Sequence, residues 1–384
     1  VGSAAAGLAL VAPVVGCSAD APAVATPTAA DAAVVAQDLG DALAAADSGR
    51  ASALAASEAP AVAQRLAAMA ANVGRLHLRG ITVAPGQPPG PDGLVTFTVA
   101  WRLPGIDPDP IPTLLTLRLV RGSDGPRILT VGSRGQTPLW LLGPVDVRRS
   151  HAAVVIVEGA AGPGIDRPPA VAAVRTVRAV LPRWSGRLAV EVPADAASFD
   201  AVLGVPHGER AADAAVTTTF GDPATSRSSR VVLNPDVFST LTPLGRRVVL
   251  AHEATHVAVD AAASSAPLWL VEGFADYVAL RDVDVPIRTS AADLVDLTER
   301  RGPLDRLPAA RAFASSDGRL ASAYQASWLA CLTLAERDGE RSLVRFYRSV
   351  DRGADVTGAL SRDFDLDRRR LTELVARRVS TWAR

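Results

Sequence analysis

The chain has 384 residues, and forty basic residues balance forty acidic ones, so its formal net charge is zero. That balance argues against a general nucleic-acid binder, which needs a cationic field to displace counterions from phosphates. Every basic residue is arginine, which removes Schiff-base and phosphate-loop lysine chemistry, and the two cysteines, Cys17 and Cys331, exclude a disulfide framework or a cysteine-rich zinc finger. With 48% hydrophobic and 21% charged residues the composition is that of a globular chain, long enough for about two or three domains.

The N-terminal segment reads as an address rather than as fold. Ala4 to Val15 is an apolar run too short to span a bilayer, which takes about 20 residues, but of the length of a signal-peptide core. Val14-Val15-Gly16-Cys17 follows, and it resembles a bacterial lipobox, in which the signal is cut before a lipid-bearing cysteine. No basic residue precedes the run, so the chain is expected to begin inside the signal or at an alternative start codon. The expectation is a signal over residues 1–16, a lipidated Cys17, and a flexible Ala/Pro/Thr tether over 17–28.

Two helical patterns come next, Ala30 to Ala46 and Ala51 to Val73. Strands are predicted at Leu76–Leu78, Leu94–Trp101, Thr113–Val120 and Arg127–Val131, separated by Gly- and Pro-rich turns. Two helices and a strand meander, over residues 29–145, resemble the small α+β cone of the nuclear transport factor-like fold. Beyond Gly143-Pro144 a second domain is expected over 150–384. It opens with a buried strand at Val154–Val157, a helix over Pro168–Leu181, a strand at Leu188–Val192 and a short helix at Ala196–Leu203. Strands at Ala215–Phe220 and Val231–Leu233 follow, and from Thr242 the chain reads as almost entirely helical, an α+β order overall. His77, His151 and His207 read as surface or structural histidines, and Arg368-Arg369-Arg370 as a solvated helix face.

The chemistry concentrates in His252-Glu253-Ala254-Thr255-His256. Thr242 is suited to cap this helix and Pro243 to its first position. Residues four apart share a helix face, so His252 and His256 can turn two imidazoles toward one ion, while Glu253, rotated by about 100°, reaches the side where a bound water would sit. A catalytic zinc site needs a third protein ligand and one open position. Cys17 is terminal and Cys331 lies in an apolar run, so the candidate is Glu272, on a second helix after Pro267. Asp276, one turn further on the same face, is suited to accept a hydrogen bond from the non-ligating nitrogen of His252.

The His-Glu-Ala-Thr-His helix and the downstream Trp269-Leu270-Val271-Glu272-Gly273-Phe274-Ala275-Asp276-Tyr277 resemble the gluzincin metallopeptidases, and the Glu-then-Asp pair is similar to that of thermolysin. The resemblance spans about residues 185–384 and is strongest over Val248–Val278. It implies a thermolysin-like zincin domain with a small mixed sheet and a mostly helical C-terminal half. It further implies one zinc ion bound by His252, His256 and Glu272, with Glu253 as general base. The segment Arg319 to Leu329 is similar to the helix whose tyrosine faces the zinc in that group, which implies Tyr324 as oxyanion donor, with Tyr277 the competing choice. In gluzincins an edge strand before the zinc helix aligns the substrate backbone, a role that falls on Val231–Leu233.

The expected activity is hydrolysis of peptide bonds in a peptide or protein substrate by a zinc-activated water, at the outer face of the bacterial cytoplasmic membrane through the lipid on Cys17. Two alternatives stand beside it: a catalytically silent lipoprotein that binds a peptide or partner, and an aminopeptidase of the same fold. Arg230 to Phe238 lacks a Gly-x-Met-x-Asn pattern, which favours an endopeptidase. Nothing in the sequence sets an oligomeric state.

Overall fold

The structure, a computed structural model, describes residues 26–159, 168–221, 228–314 and 319–383. The expected signal and Cys17 lie outside the described residues, as does most of the tether.

The N-terminal part begins with α1 (Ala29–Ala44), α2 (Ser48–Ser52) and α3 (Pro60–Leu76). A reciprocal capping box starts α1: the backbone N–H of Thr28 donates to Asp31 at 2.7 Å, and that of Asp31 to the Thr28 hydroxyl at 3.2 Å. Arg121 also donates to Asp31, at 3.0 and 3.1 Å, and holds its carboxyl down at about 2. Pro60 divides the single helix expected over Ala51–Val73, because proline is tolerated only in a first turn. The strand expected at Leu76–Leu78 is instead a helix end. His77 adopts a left-handed conformation (φ 54°) and its N–H returns to Gly74 and Val73, which closes α3.

The first sheet is an antiparallel meander in chain order: β1 (Arg79–Pro85), β2 (Leu94–Arg102), β3 (Ile111–Gly122) and β4 (Gly125–Arg134). Alternate residues of β2, Val95, Phe97, Val99 and Trp101, are buried against α1 and α3, the period of a one-sided sheet.

The second sheet is mixed. Its strands are β5 (Val145–Arg149), β6 (Ala153–Glu158), β7 (Leu188–Val192), β8 (Ala215–Phe220) and β9 (Ser228–Leu233). The order is β5-β6-β7-β9-β8, with β6, β7 and β9 parallel and the two outer strands antiparallel. Between these strands run α4 (Ala170–Val180), the crossover from β6 to β7, and α5 (Ala196–Leu203). The sequence put the edge strand at Val231–Leu233. It is interior, paired with β7 on one side and β8 on the other, and all three residues are fully buried. An unbroken apolar run marks a strand covered on both faces. The edges are β5 and β8.

The remaining helices are α6 (Pro235–Phe238), α7 (Pro243–Val259), α8 (Leu268–Leu280), α9 (Ile287–Ser290), α10 (Ala292–Arg301), α11 (Leu320–Asp338), α12 (Glu340–Asp351), α13 (Val356–Phe364) and α14 (Arg368–Ser380). The described residues thus form an α+β fold of fourteen α-helices and two sheets. The second sheet serves both cores. Val155, Val157, Val190, Val192, Val231 and Leu233 face α4, α7, α8 and the C-terminal helices, while Val154, Ile156 and Val232 join the core of the meander.

Polar groups are buried between the two sheets. Arg230 of β9 is wholly buried, donates to both carboxylate oxygens of Asp107 at 2.8 and 2.9 Å, and approaches Glu191 of β7 at 3.4 Å. Its guanidinium lies 5.3 Å from the rings of both Trp101 and Phe220. Burial pushes the Glu191 carboxyl up to about 7 against the pull of Arg230.

Candidate metal centre

Helix α7 starts as its sequence dictates: the Thr242 hydroxyl accepts from the Gly245 N–H at 3.1 Å, and Pro243 occupies the first turn. Leu250, Ala251, Ala254 and Thr255 are buried in the core, which leaves His252, Glu253 and His256 on the other side. Asp260 ends the helix in a left-handed conformation (φ 54°), and a short turn over Ala261–Ala263 sends the chain back as α8. Helix α8 is wedged between α7 and α11, and its contact with α11 is close enough to require Gly273. A Cβ there would sit 2.5 Å from the carbonyl carbon of Ser327 and 3.1 Å from Cys331 Sγ.

This packing brings three ligand atoms together. His252 Nε2 and His256 Nε2 are 2.9 Å apart, and Glu272 Oε2 lies 3.2 Å from the first and 3.3 Å from the second. Four ligands held at about 2.0–2.1 Å in a tetrahedron lie about 3.3 Å from one another, so the three distances suit a divalent ion of that geometry. The chemistry of the set points the same way: two imidazole nitrogens and a carboxylate crowd together only around a proton or a cation. His252, His256 and Glu272 are the one such set of convergent ligand atoms found among the described residues.

Asp276 Oδ1 lies 2.8 Å from His252 Nδ1, so this ring donates from Nδ1 and its Nε2 lone pair faces the other two donors. In the metal-free protein, burial works against the imidazolium of His252, but Asp276, Glu272 and Glu253 outweigh it and raise its pKa well above the ordinary value. Burial likewise raises Glu272, yet the two imidazoles prevail and hold its carboxyl far below the usual carboxylate range. Nδ1 of His256 is buried with no hydrogen-bond partner among the described residues.

Glu253 is fixed from a direction the sequence did not suggest. The hydroxyl of Thr217, on edge strand β8, lies 2.6 Å from Glu253 Oε2 and 3.1 Å from the Glu253 carbonyl oxygen. The signal available was the run Thr217-Thr218-Thr219, hydroxyl-bearing residues in a strand that the sequence pairs with nothing in particular.

The two tyrosines separate clearly. The ring of Tyr324 lies 6.3 Å from that of His252 and meets Phe313 edge-on at 5.3 Å. Burial, followed by the carboxylates of Glu272, Asp276 and Glu253, pushes its phenol well up, so it stays protonated and can donate. The hydroxyl of Tyr277 instead donates to Glu340 at 3.0 Å, on α12. The other histidines lie apart: His77 ends α3, His151 is exposed, and exposed His207 contacts Asp200 at 2.9 Å. Arg369 and Arg370 both pair with Glu373 on the exposed face of α14.

Among known proteins, the chain matches no family model, no curated protein and no solved structure.

Proposed function

We propose that this chain is a zinc-dependent peptidase of the gluzincin kind, with a thermolysin-like catalytic domain behind a nuclear transport factor-like cone. The observation that carries the reading is the convergence, from two helices, of His252 Nε2, His256 Nε2 and Glu272 Oε2 within 3.3 Å of one another, with Glu253 beside them and Asp276 behind His252. His252, His256 and Glu272 would hold the zinc, which when bound supplies a Lewis acid that polarises the scissile carbonyl and acidifies a water.

The rest of the chemistry falls to the chain's own groups. Glu253 takes the proton of the attacking water and delivers it to the leaving nitrogen. Thr217 donates to Oε2 of Glu253, which restricts the carboxylate to one orientation and directs Oε1 toward the reacting water. Asp276 keeps the His252 proton on Nδ1. Tyr324, protonated across the physiological range, donates to the developing oxyanion. Strand β8, the edge nearest the catalytic carboxylate, is suited to pair with an extended substrate backbone, the role first assigned to Val231–Leu233. Attachment to the outer face of the cytoplasmic membrane through a lipidated Cys17 is part of the proposal and rests on the lipobox resemblance. Intact Glu253 and a full ligand set favour a working enzyme over a silent binding module.

The test is Glu253→Gln in the full chain. The variant should bind zinc in the parent's stoichiometry and cleave a mixed peptide pool at least about 100-fold more slowly. Cleavage at the parent's rate would refute the base assignment. Cleavage by the parent that resists a chelator would refute the metal.

A further inference from the structure

The chain carries no net charge, yet one concave surface is lined almost wholly by arginine. On α12, Arg341, Arg345, Arg348 and Arg352 follow at spacings of four, three and four, so they share one helix face and its continuation into the next turn. The opposite face, Leu343, Phe346, Tyr347 and Val350, is locked in the core, so the direction of the arginine stripe is fixed. Arg183, from the turn between α4 and β7, converges on the same stripe. Together with Val344 and Ser349 these five arginines line a groove of about 540 Å³ with no acidic residue in its wall.

Like charges at three- and four-residue spacing on a helix repel one another, and so many in a neutral chain call for a counter-charge. The protein supplies little. Asp363 pairs with Arg345 at 3.2 Å but shares itself with Arg362 at 2.8 Å. Arg183, Arg341, Arg348 and Arg352 have no carboxylate partner among the described residues. Helix α14 offers a comparison. It carries five arginines, of which Arg369, Arg370 and Arg377 share Glu373 and Arg378 pairs with Glu336. Four of its five arginines reach a carboxylate, against one of the five that line the groove.

We propose that this groove binds a small ligand carrying two or more phosphate groups. The planar guanidinium fork matches phosphate oxygens in pairs. The volume is that of a small-molecule site. Several cations in so small a space demand dense negative charge, and a phosphate group brings nearly two charges where a carboxylate brings one. The same chemistry is offered by a soluble polyphosphate and by a phospholipid headgroup that carries more than one phosphate.

The experiment is calorimetric titration of the full chain with inorganic pyrophosphate at physiological salt. Saturable binding is expected, weakened at least tenfold in Arg341→Gln/Arg348→Gln and in Arg183→Gln, which removes a charge from the opposite wall, and unchanged in Arg369→Gln on α14. Each variant should unfold as cooperatively as the parent, and heat from pyrophosphate drawing on bound metal is common to all. A second arm uses vesicles of phosphatidylcholine with a phosphatidylinositol bisphosphate. Sedimentation with them that fails in the groove variants identifies a lipid headgroup as the source, and pyrophosphate binding without sedimentation identifies a soluble ligand. The proposal is overturned if pyrophosphate shows no saturable binding, if Arg369→Gln loses as much as the groove variants, or if polyglutamate binds more tightly than pyrophosphate.

Discussion

Gly273 is the position where the helix packing and the candidate metal centre can be tested with a single methyl group. Gly273→Ala adds a Cβ that would fall 2.5 Å from the Ser327 carbonyl carbon and 3.1 Å from Cys331 Sγ. Carbon atoms in ordinary contact stand about 3.5–4.0 Å apart, so α8 and α11 must separate by about 1 Å. The obstacle is helix backbone, which has no rotamer to change. Overpacking of this kind costs about 1–3 kcal/mol. The displacement has a functional side as well, because Glu272 precedes the glycine and Asp276 follows one turn later. Driving α8 away from α11 moves both carboxylates relative to His252 and His256, whose ligand atoms now lie 3.2 and 3.3 Å from Glu272 Oε2. Two measurements follow: urea unfolding of the metal-free chain, and zinc affinity from competition with a chromophoric chelator. The variant should lose about 1–3 kcal/mol of stability and bind zinc at least about tenfold more weakly. Parent-like stability together with parent-like affinity would refute the claim that this helix contact sets the site.

Three further outcomes are expected. Asp276→Ala leaves the His252 ring without its Nδ1 acceptor, so zinc affinity should fall about 10- to 100-fold, and equal affinity by chelator competition would remove Asp276 from the site. Thr217→Val deletes the hydroxyl on Glu253 while keeping a β-branched strand residue; kcat should drop roughly tenfold to a hundredfold with zinc content unchanged, Thr217→Ser should restore most of it, and a valine variant as active as the parent would count against orientation of the base. Glu191 titrates at about 7 when folded, against an ordinary glutamate near 4.5 when unfolded. Between those values the folded state holds more protons, so its contribution to stability is complete below about pH 4.5 and is lost as pH rises through about 7. Glu191→Gln should remove this fall from a series of urea midpoints between pH 5 and pH 8; an unchanged profile would assign the slope elsewhere.

Much of this was legible in the residues because short-range rules governed it. The Thr242 cap, Pro243, the four-residue histidine spacing and the Pro267 start are local signals, and α7 and α8 form where they predict. The strand expected at Leu94–Trp101 likewise forms, as β2. What escaped depends on pairing between distant segments. Val231–Leu233 reads as a strand, but its neighbours are decided by β7 and β8, and only they make it interior. Thr217 reaches Glu253 across 36 residues, and Arg230 reaches Asp107 across 123. No periodicity encodes such meetings. The boundary at Leu76–Leu78 failed for a different reason: a histidine in a left-handed conformation ends α3 where glycine is the usual signal.

The central claim is that two imidazoles and one carboxylate from neighbouring helices share one divalent ion. Its most direct test is an anomalous-difference map, recorded on either side of the zinc absorption edge, from crystals of the full chain grown with one equivalent of zinc. The account predicts a single strong peak within about 2.0–2.2 Å of His252 Nε2, His256 Nε2 and Glu272 Oε2. A peak elsewhere, or one at the histidines with Glu272 turned away, would contradict it.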